Sequence, residues 1–270
     1  MSNQPSEGRS LTDLLVIDNL LVGPVRIEPN RLIMPYTVWQ KDEKHSTELI
    51  YKYEEPVFEV SSPADQNLAG LIGAQVALNY GLFCRKITFE GLFDATDIRF
   101  LLDMMENTSR EIYVNKILAP NVFLLEEARG IPAVKLKRYT QAEVIFTNRT
   151  APNQKVDWGL WHTNRHRHCV LSSGGKDSLL SYGLLREIGK EVHPVFGNES
   201  GRHWFTALNG FRYFQQTDPN TARVWMNSDR LFSWMLRHLP FVRQDFATIR
   251  ADDYPIRLWT VAVFLFGVLP

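Results

Sequence analysis

The chain is predicted to be an α/β protein, with a doubly wound parallel sheet in its C-terminal part and an α+β N-terminal domain containing an antiparallel meander before it. Three observations point there. From Cys169 onward, short apolar runs alternate with helical repeats in the order β-α-β-α-β. From Val25 to Val60, extended runs follow one another across the Pro29-Asn30 and Lys41-Asp42-Glu43-Lys44 turns, as in a meander. Between them lies Leu171 to Ser178, a glycine-paired stretch set between a strand-like and a helix-like run, the place where an open parallel sheet binds anions.

Length and composition bound the rest. At 270 residues, 44% of them hydrophobic, the chain is long enough for one large domain or two ordinary ones with a real core. Lys+Arg and Asp+Glu both number 30, so net charge gives no argument for nucleic acid or an anionic membrane. Cys84 and Cys169 are far apart and form no CxxC, which points to a reducing compartment and away from structural zinc. Residues 1–10 are polar, lack the layout of a signal peptide and read as a disordered tail; the protein is expected to be cytoplasmic. Residues 11–160 then form the N-terminal domain and 161–270 the α/β domain.

Taken in order, the meander consists of Val25 to Ile27, Leu32 to Trp39, Glu48 to Tyr53 and Val57 to Val60. Its aromatic residues Tyr36, Trp39, Tyr51, Tyr53 and Phe58 fit core or cross-strand packing better than a ligand platform, because strands favour aromatics for packing reasons alone. Leu68, Leu71, Ile72 and Val76 space a helix over Asn67 to Tyr80. A strand at Arg85 to Glu90, a helix at Thr96 to Met105 and a strand at Glu111 to Val114 follow. Asn121 to Glu127 and Ala142 to Asn148 are extended or short helical segments with no assigned place. In Trp158 to Cys169, His162, His166 and His168 precede Cys169, but no carboxylate or second cysteine completes a tetrahedral metal set. Arg165 and Arg167 share one face of that extended stretch, either a solvated edge or a basic face meeting substrate. Beyond the glycine stretch, Val192 to Phe196 reads as a strand, Arg202 to Phe214 as a helix, Arg223 to Met226 as a strand and Leu231 to Leu239 as a helix. Ile256 to Leu269 is almost wholly apolar but shorter than the roughly 20 residues of a bilayer span, so a buried core helix is expected. Ending on Pro270 with no strand after it, the α/β domain reads as cut before its sheet is complete.

The central stretch has its own chemistry. Gly174 and Gly175 allow a sharp turn, and the helix that starts at Lys176 presents its free N–H groups and positive dipole end to an anion. A Walker A loop is excluded, because Lys176 is followed by Asp177 rather than Ser or Thr; a dinucleotide fingerprint is excluded for want of a third glycine. Ser173 and Ser178 offer hydroxyls, and Lys176 a mobile positive charge. Asp177 beside a polyphosphate would be repelled without a cation between them, which argues for Mg²⁺; alternatively its carboxylate caps the helix.

Ser173-Gly174-Gly175-Lys176-Asp177-Ser178 matches SGGxDS and resembles the loop of the PP-loop ATP pyrophosphatases. The resemblance implies a PP-loop/HUP-type sheet, ATP and Mg²⁺ as ligands, and cleavage of ATP between the α and β phosphates. Carried onto this sequence, it implies catalytic roles for Lys176 and Asp177, with Asp177 on the metal. Nucleotide contacts would come from Ser172 to Ser178 and from Gly197, Asn198 and Ser200 at the end of the next strand. Glu199 and Arg202 stand nearby for a small-molecule carboxylate substrate. The layout, with Tyr254-Pro255-Ile256 leading into an apolar helix, is similar to the UDP-N-acetylmuramoyl-L-alanyl-L-glutamate epimerases of peptidoglycan precursor synthesis, which implies adenylation of the glutamate carboxyl before inversion. The inverting base is not named by the sequence, nor is the oligomeric state. Another PP-loop ligase, an amidotransferase, a tRNA-modifying enzyme or a nucleotide-binding module without chemistry are the alternatives.

Overall fold

A computed structural model describes residues 9–147, 158, 163–199, 202–249, 255–258 and 260–270. Among the described residues, a mixed sheet of nine strands flanked by helices forms the centre. The strands are β1 (Ile17–Val22), β2 (Arg26–Glu28), β3 (Arg31–Gln40), β4 (Glu43–Tyr53), β5 (Cys84–Glu90), β6 (Glu143–Thr147), β7 (Arg167–Ser172), β8 (Glu191–Asn198) and β9 (Ala222–Met226). Their order is β6-β5-β1-β3-β4-β9-β8-β7, with β2 paired to β3. Two parallel blocks, β6-β5-β1 and β9-β8-β7, stand at the two ends. The antiparallel pairs β1/β3, β3/β4 and β4/β9 join them, so the blocks point in opposite directions. The domain boundary expected near residue 160 lies outside the described residues.

Sequence dictates the hairpin at the middle. Lys41 and Asp42 both hold positive φ, 50° and 65°, as a primed two-residue turn requires, and its twist matches that of the flanking strands. Alternation then sends Leu32, Met34, Tyr36 and Val38 of β3 into the core with Leu49 and Tyr51 of β4. Of the five aromatics expected in core or cross-strand packing, Tyr36, Tyr51, Tyr53 and Phe58 are buried, while Trp39 is half-buried with the Lys44 ammonium of the facing strand 5.3 Å over its ring; burial pushes the Tyr36 and Tyr51 phenols far above the usual tyrosine range. Their hydroxyls donate to the Gly73 and Val263 carbonyls at 2.6 and 3.1 Å.

Helix α1 (Pro63–Ala74) is capped by Ser62, whose hydroxyl accepts from Asp65 N–H, and runs on as a 3-10 turn to Tyr80. Helix α2 (Ala95–Ile112) opens on a capping box, in which Asp94 accepts from Thr96 and Asp97 N–H and Asp97 accepts from Asp94 N–H. The strand expected at Glu111 to Val114 is instead the end of α2, followed by a π-helical turn over Tyr113–Leu118. The reason is the buried stripe Leu101, Met105, Thr108 and Ile112, whose helical period outlasts the β-like local composition. Val57 to Val60 forms no strand; Val57 and Phe58 N–H donate to the Pro29 carbonyl, and Phe58 packs edge-on against Tyr53 at 5.5 Å. Of the tail, Arg9 and Ser10 are described, and Ser10 caps a 3-10 turn at Leu11–Leu14.

In the second block, α3 (Lys176–Glu187) and α4 (Arg202–Thr217) cross over between the strands, and α5 (Ser228–Arg237) follows β9. Phe196 of β8 packs beneath Phe211 and Phe214 of α4, and Tyr182 of α3 meets Phe214, so α3 and α4 cover one face. The C-terminal helix α6 (Thr260–Gly267) covers the other. It is shorter than the apolar run that was expected to be wholly buried: Ala262 and Val263 face inward while Val261 and Leu265 are exposed. Among the described residues no helix is long and apolar enough to cross a membrane.

Candidate functional site

The strand-to-helix turn expected to hold an anion joins β7 to α3. Ser172, buried at the last position of β7, braces it: its hydroxyl oxygen accepts from Gly174 N–H at 3.2 Å and lies 3.1 Å from the Ser178 hydroxyl. Ser178 donates to the Gly175 carbonyl at 2.9 Å. Both serines therefore hold the turn closed in this conformation, and Ser173, exposed between them, is the hydroxyl left to face a ligand.

The two glycines differ in kind. Gly174 has φ +75°, and a Cβ there would come within 3.1 Å of the Ala207 Cα, so its glycine is dictated by backbone conformation and by the close approach of α4. Gly175 has φ −83° and ψ 164°, open to any residue, and a Cβ there would meet only the Ser173 hydroxyl oxygen at 3.5 Å. Gly175 is also the N-cap of α3, with no side chain to satisfy the helix. The N–H groups of Lys176, Asp177 and Ser178 thus point out of the first turn without a helical acceptor. Asp177 stands inside the helix, past the cap, so it is not the capping residue that was the alternative for it. Lys176 and Asp177 are both exposed at this end.

Beside the turn is a cavity of about 380 Å³, at the carboxyl ends of β7 and β8. Leu171, Ser172 and Ser173 form one side, Gly197 and Glu199 the next. Ala207 and the C-terminal segment, through Arg257, Thr260, Val261 and Phe264, close it. A Cβ on Gly197 would lie 2.8 Å from a Phe264 ring carbon, so this glycine admits α6 to the cavity wall. Glu199 accepts from the Ser228 hydroxyl at 2.6 Å, which ties it to the start of α5. The Arg257 guanidinium stacks over the Phe232 ring at 5.3 Å, at the cavity wall.

The turn and the end of β8 are thus brought together as expected, through Ser172, Ser173, Gly197 and Glu199. Asn198 is buried at the last position of β8, its Cα paired with Trp225, and it borders a neighbouring cleft with Arg223 and Trp225. Ser200 and the side chain of Arg202 lie outside the described residues, as does His162. His166 and His168 are described, and among the described residues no group of three or more His, Cys, Asp or Glu side chains is placed to hold a metal ion. His168 Nε2 lies 3.1 Å from the Arg165 carbonyl, in keeping with a polar strand partner. Cys169 is exposed on β7, and partial burial still raises its thiol pKa. Arg257, Thr260, Val261 and Phe264 were not foreseen as site residues. Their one sequence signal is the lone charge of Arg257 at the head of an apolar run. Comparison of the chain with protein-family models, with curated proteins and with solved structures gives no match.

Proposed function

We propose that the chain binds ATP with Mg²⁺ at the β7–α3 turn and activates a carboxylate of a small-molecule substrate by adenylation. Gly175 carries this reading. Its conformation and surroundings permit any side chain, yet a glycine stands there, at the one position where a capping side chain would occupy the helix N–H groups. An external polyphosphate supplies the oxygens that the helix lacks. Lys176 adds mobile positive charge beside it.

The donor set fits Mg²⁺, which keeps several waters and takes one or two carboxylates together with phosphate oxygens; Asp177 is the carboxylate available at the turn. When bound, the ion neutralises charge on the polyphosphate. With the β and γ phosphates at the turn, the nucleoside end occupies the cavity, whose 380 Å³ and apolar wall of Leu171, Val261 and Phe264 suit a purine. A carboxylate oxygen attacks the α phosphorus, the bond to the β-phosphate oxygen breaks, and pyrophosphate leaves. Glu199 and Arg257 are the charged groups at the cavity that would orient the acceptor. The finer choice of acceptor, the glutamate carboxyl of UDP-N-acetylmuramoyl-L-alanyl-L-glutamate, follows the layout of the sequence alone.

Incubation with ATP, Mg²⁺ and an ¹⁸O-carboxylate form of that dipeptide substrate tests both levels. Pyrophosphate and AMP bearing one label are the expected products. ADP with orthophosphate would overturn adenylation.

A further inference from the structure

Hydrogen-bond accounting fixes the tautomers of two histidines remote from the phosphate turn. Gln40, the last residue of β3, spends both amide hydrogens on carbonyls, its Nε2 donating to those of Val16 and His238 at 2.8 Å each. Its Oε1 can then only accept, and His238 Nδ1 lies 3.3 Å from it. The neutral His238 ring therefore carries its proton on Nδ1 and keeps a lone pair on Nε2. On β4, His45 Nε2 lies 3.1 Å from Glu43 Oε2. An ionised carboxylate can only accept, so the neutral His45 ring carries its proton on Nε2 and keeps a lone pair on Nδ1. The two ring centres are 5.2 Å apart, and among the described residues no hydrogen bond reaches either lone pair. Trp234 packs against the His238 ring at 4.5 Å and holds its plane.

We propose that His238 Nε2 and His45 Nδ1 together bind one divalent cation of the zinc class, with water in its remaining positions and with Gln40 and Glu43 holding the two rings. A histidine that ligates a metal has a carboxylate or carbonyl behind its other nitrogen, as both of these do. Two imidazoles on one tetrahedral ion, each at a metal–nitrogen distance of about 2 Å, put their ring centres about 5 Å apart. The pair already stands at that separation. His238 is also the C-cap of α5, the end at which a helix dipole favours a cation. Burial, then the facing imidazole, keeps the His238 pKa low, which leaves its ring in the form that binds metal. A cleft of about 170 Å³ beside His238 gives an ion access. Lys41 and Arg237 border this cleft and oppose a cation, but both are exposed and screened by water, and Glu43 stands with them. Once bound, the ion fastens β4 of the central hairpin to the end of α5, the helix that follows β9. The site owes nothing to the nucleotide reading of the turn.

Calorimetric titration with zinc chloride at neutral pH tests the site. The chain has other histidines, so the readout is the difference between variants. The native chain should bind one more zinc than His45→Ala, His238→Gln or the double variant, and those three should bind equal numbers, because the ion needs both rings. Glu43→Gln should keep that equivalent but hold it at least about tenfold more weakly. Zinc should also raise the urea midpoint of the native chain beyond any rise in the three variants, since an ion bound by the folded chain stabilises it. His45 is exposed, so His45→Ala keeps the fold and its result stands even where His238→Gln is destabilised. Equal zinc stoichiometry in the native chain and His45→Ala would overturn the site, as would no zinc bound by the native chain. Full affinity in Glu43→Gln would overturn the carboxylate's role and leave the imidazole pair standing.

Discussion

The two parallel blocks at the ends of the sheet place crevices at their carboxyl ends, and the larger crevice is the one with less capacity to bind. At the first block, Pro24, Gln66, Glu90 and Thr147 border about 680 Å³, against about 380 Å³ at the second. Yet the helices that start beside the first block are satisfied from within, α1 by Ser62 and α2 by Asp94. The Asp65, Thr96 and Asp97 N–H groups have acceptors already, and a ligand there would have to displace them. At the second block α3 has Gly175 as its cap and no side-chain acceptor. Helix α5 also lacks a side-chain cap bond, but its Asn227 is committed to β4 through Ile50 N–H and the Glu48 carbonyl, and its first residue is fully buried. Unspent hydrogen-bonding capacity, more than volume, marks a binding site. Packing repeats the contrast: α2 buries Leu101, Met105 and Ile112, whereas no residue of α3 is fully buried.

This contrast can be broken at several points. Asp177→Asn should lower ATP turnover more than 100-fold, roughly the effect of losing one transition-state charge contact, with the melting temperature unchanged; a variant that unfolds would return Asp177 to a structural role. Leu20→Ala, in the fully buried core of the first block, should destabilise by about 3 kcal/mol in urea titration, and Leu180→Ala, 62% exposed on α3, by less than about 0.5. Equal losses would mean that α3 is packed in solution. Asp94→Ala should remove about 1–2 kcal/mol by opening the capping box of α2, while leaving nucleotide affinity untouched.

A pH effect probes the hairpin that joins the blocks. His238 lies 3.3 Å through Nδ1 from Gln40 and 5.2 Å ring to ring from His45, and burial, then the neighbouring imidazole, hold its pKa below the ordinary histidine value. The folded state thus binds fewer protons than the unfolded one. The associated stability is complete above the unfolded pKa, about 6.5, and is lost as pH falls through the lower, folded value. Urea midpoints measured between pH 7.5 and 5 should fall for the native chain, and this part of the fall should vanish in His238→Gln.

Much of this is legible in the sequence. The turn, both strands beside it and the alternation that follows were in the sequence because glycine, capping and periodicity act locally. β1 was missed, since Asp18 and Asn19 interrupt its apolar pattern and its stability comes from partners at Trp39 to Tyr36 and at Cys84 to Phe89. The apolar repeat Leu180, Leu184 and Ile188 spaced a helix correctly but did not reveal which side it buries; Tyr182 and Leu185 turn towards the sheet instead. Asn198 is placed at the site by its position in sequence; strand alternation turns it to the face of Phe196, opposite that of Gly197. Arg257 and Phe264 reach the cavity from a segment more than a full crossover away, which no local pattern encodes.

The most direct test gives α3 the cap it lacks. Gly175→Asp keeps φ −83° without strain and meets only the Ser173 hydroxyl, so the helix gains an internal acceptor for its first N–H groups. Calorimetry with ATP and Mg²⁺, run beside thermal unfolding, should show affinity lowered at least about tenfold and a melting temperature equal to or slightly above that of the native chain. Native affinity in the capped variant would contradict the claim that the open end of α3 is where the polyphosphate binds.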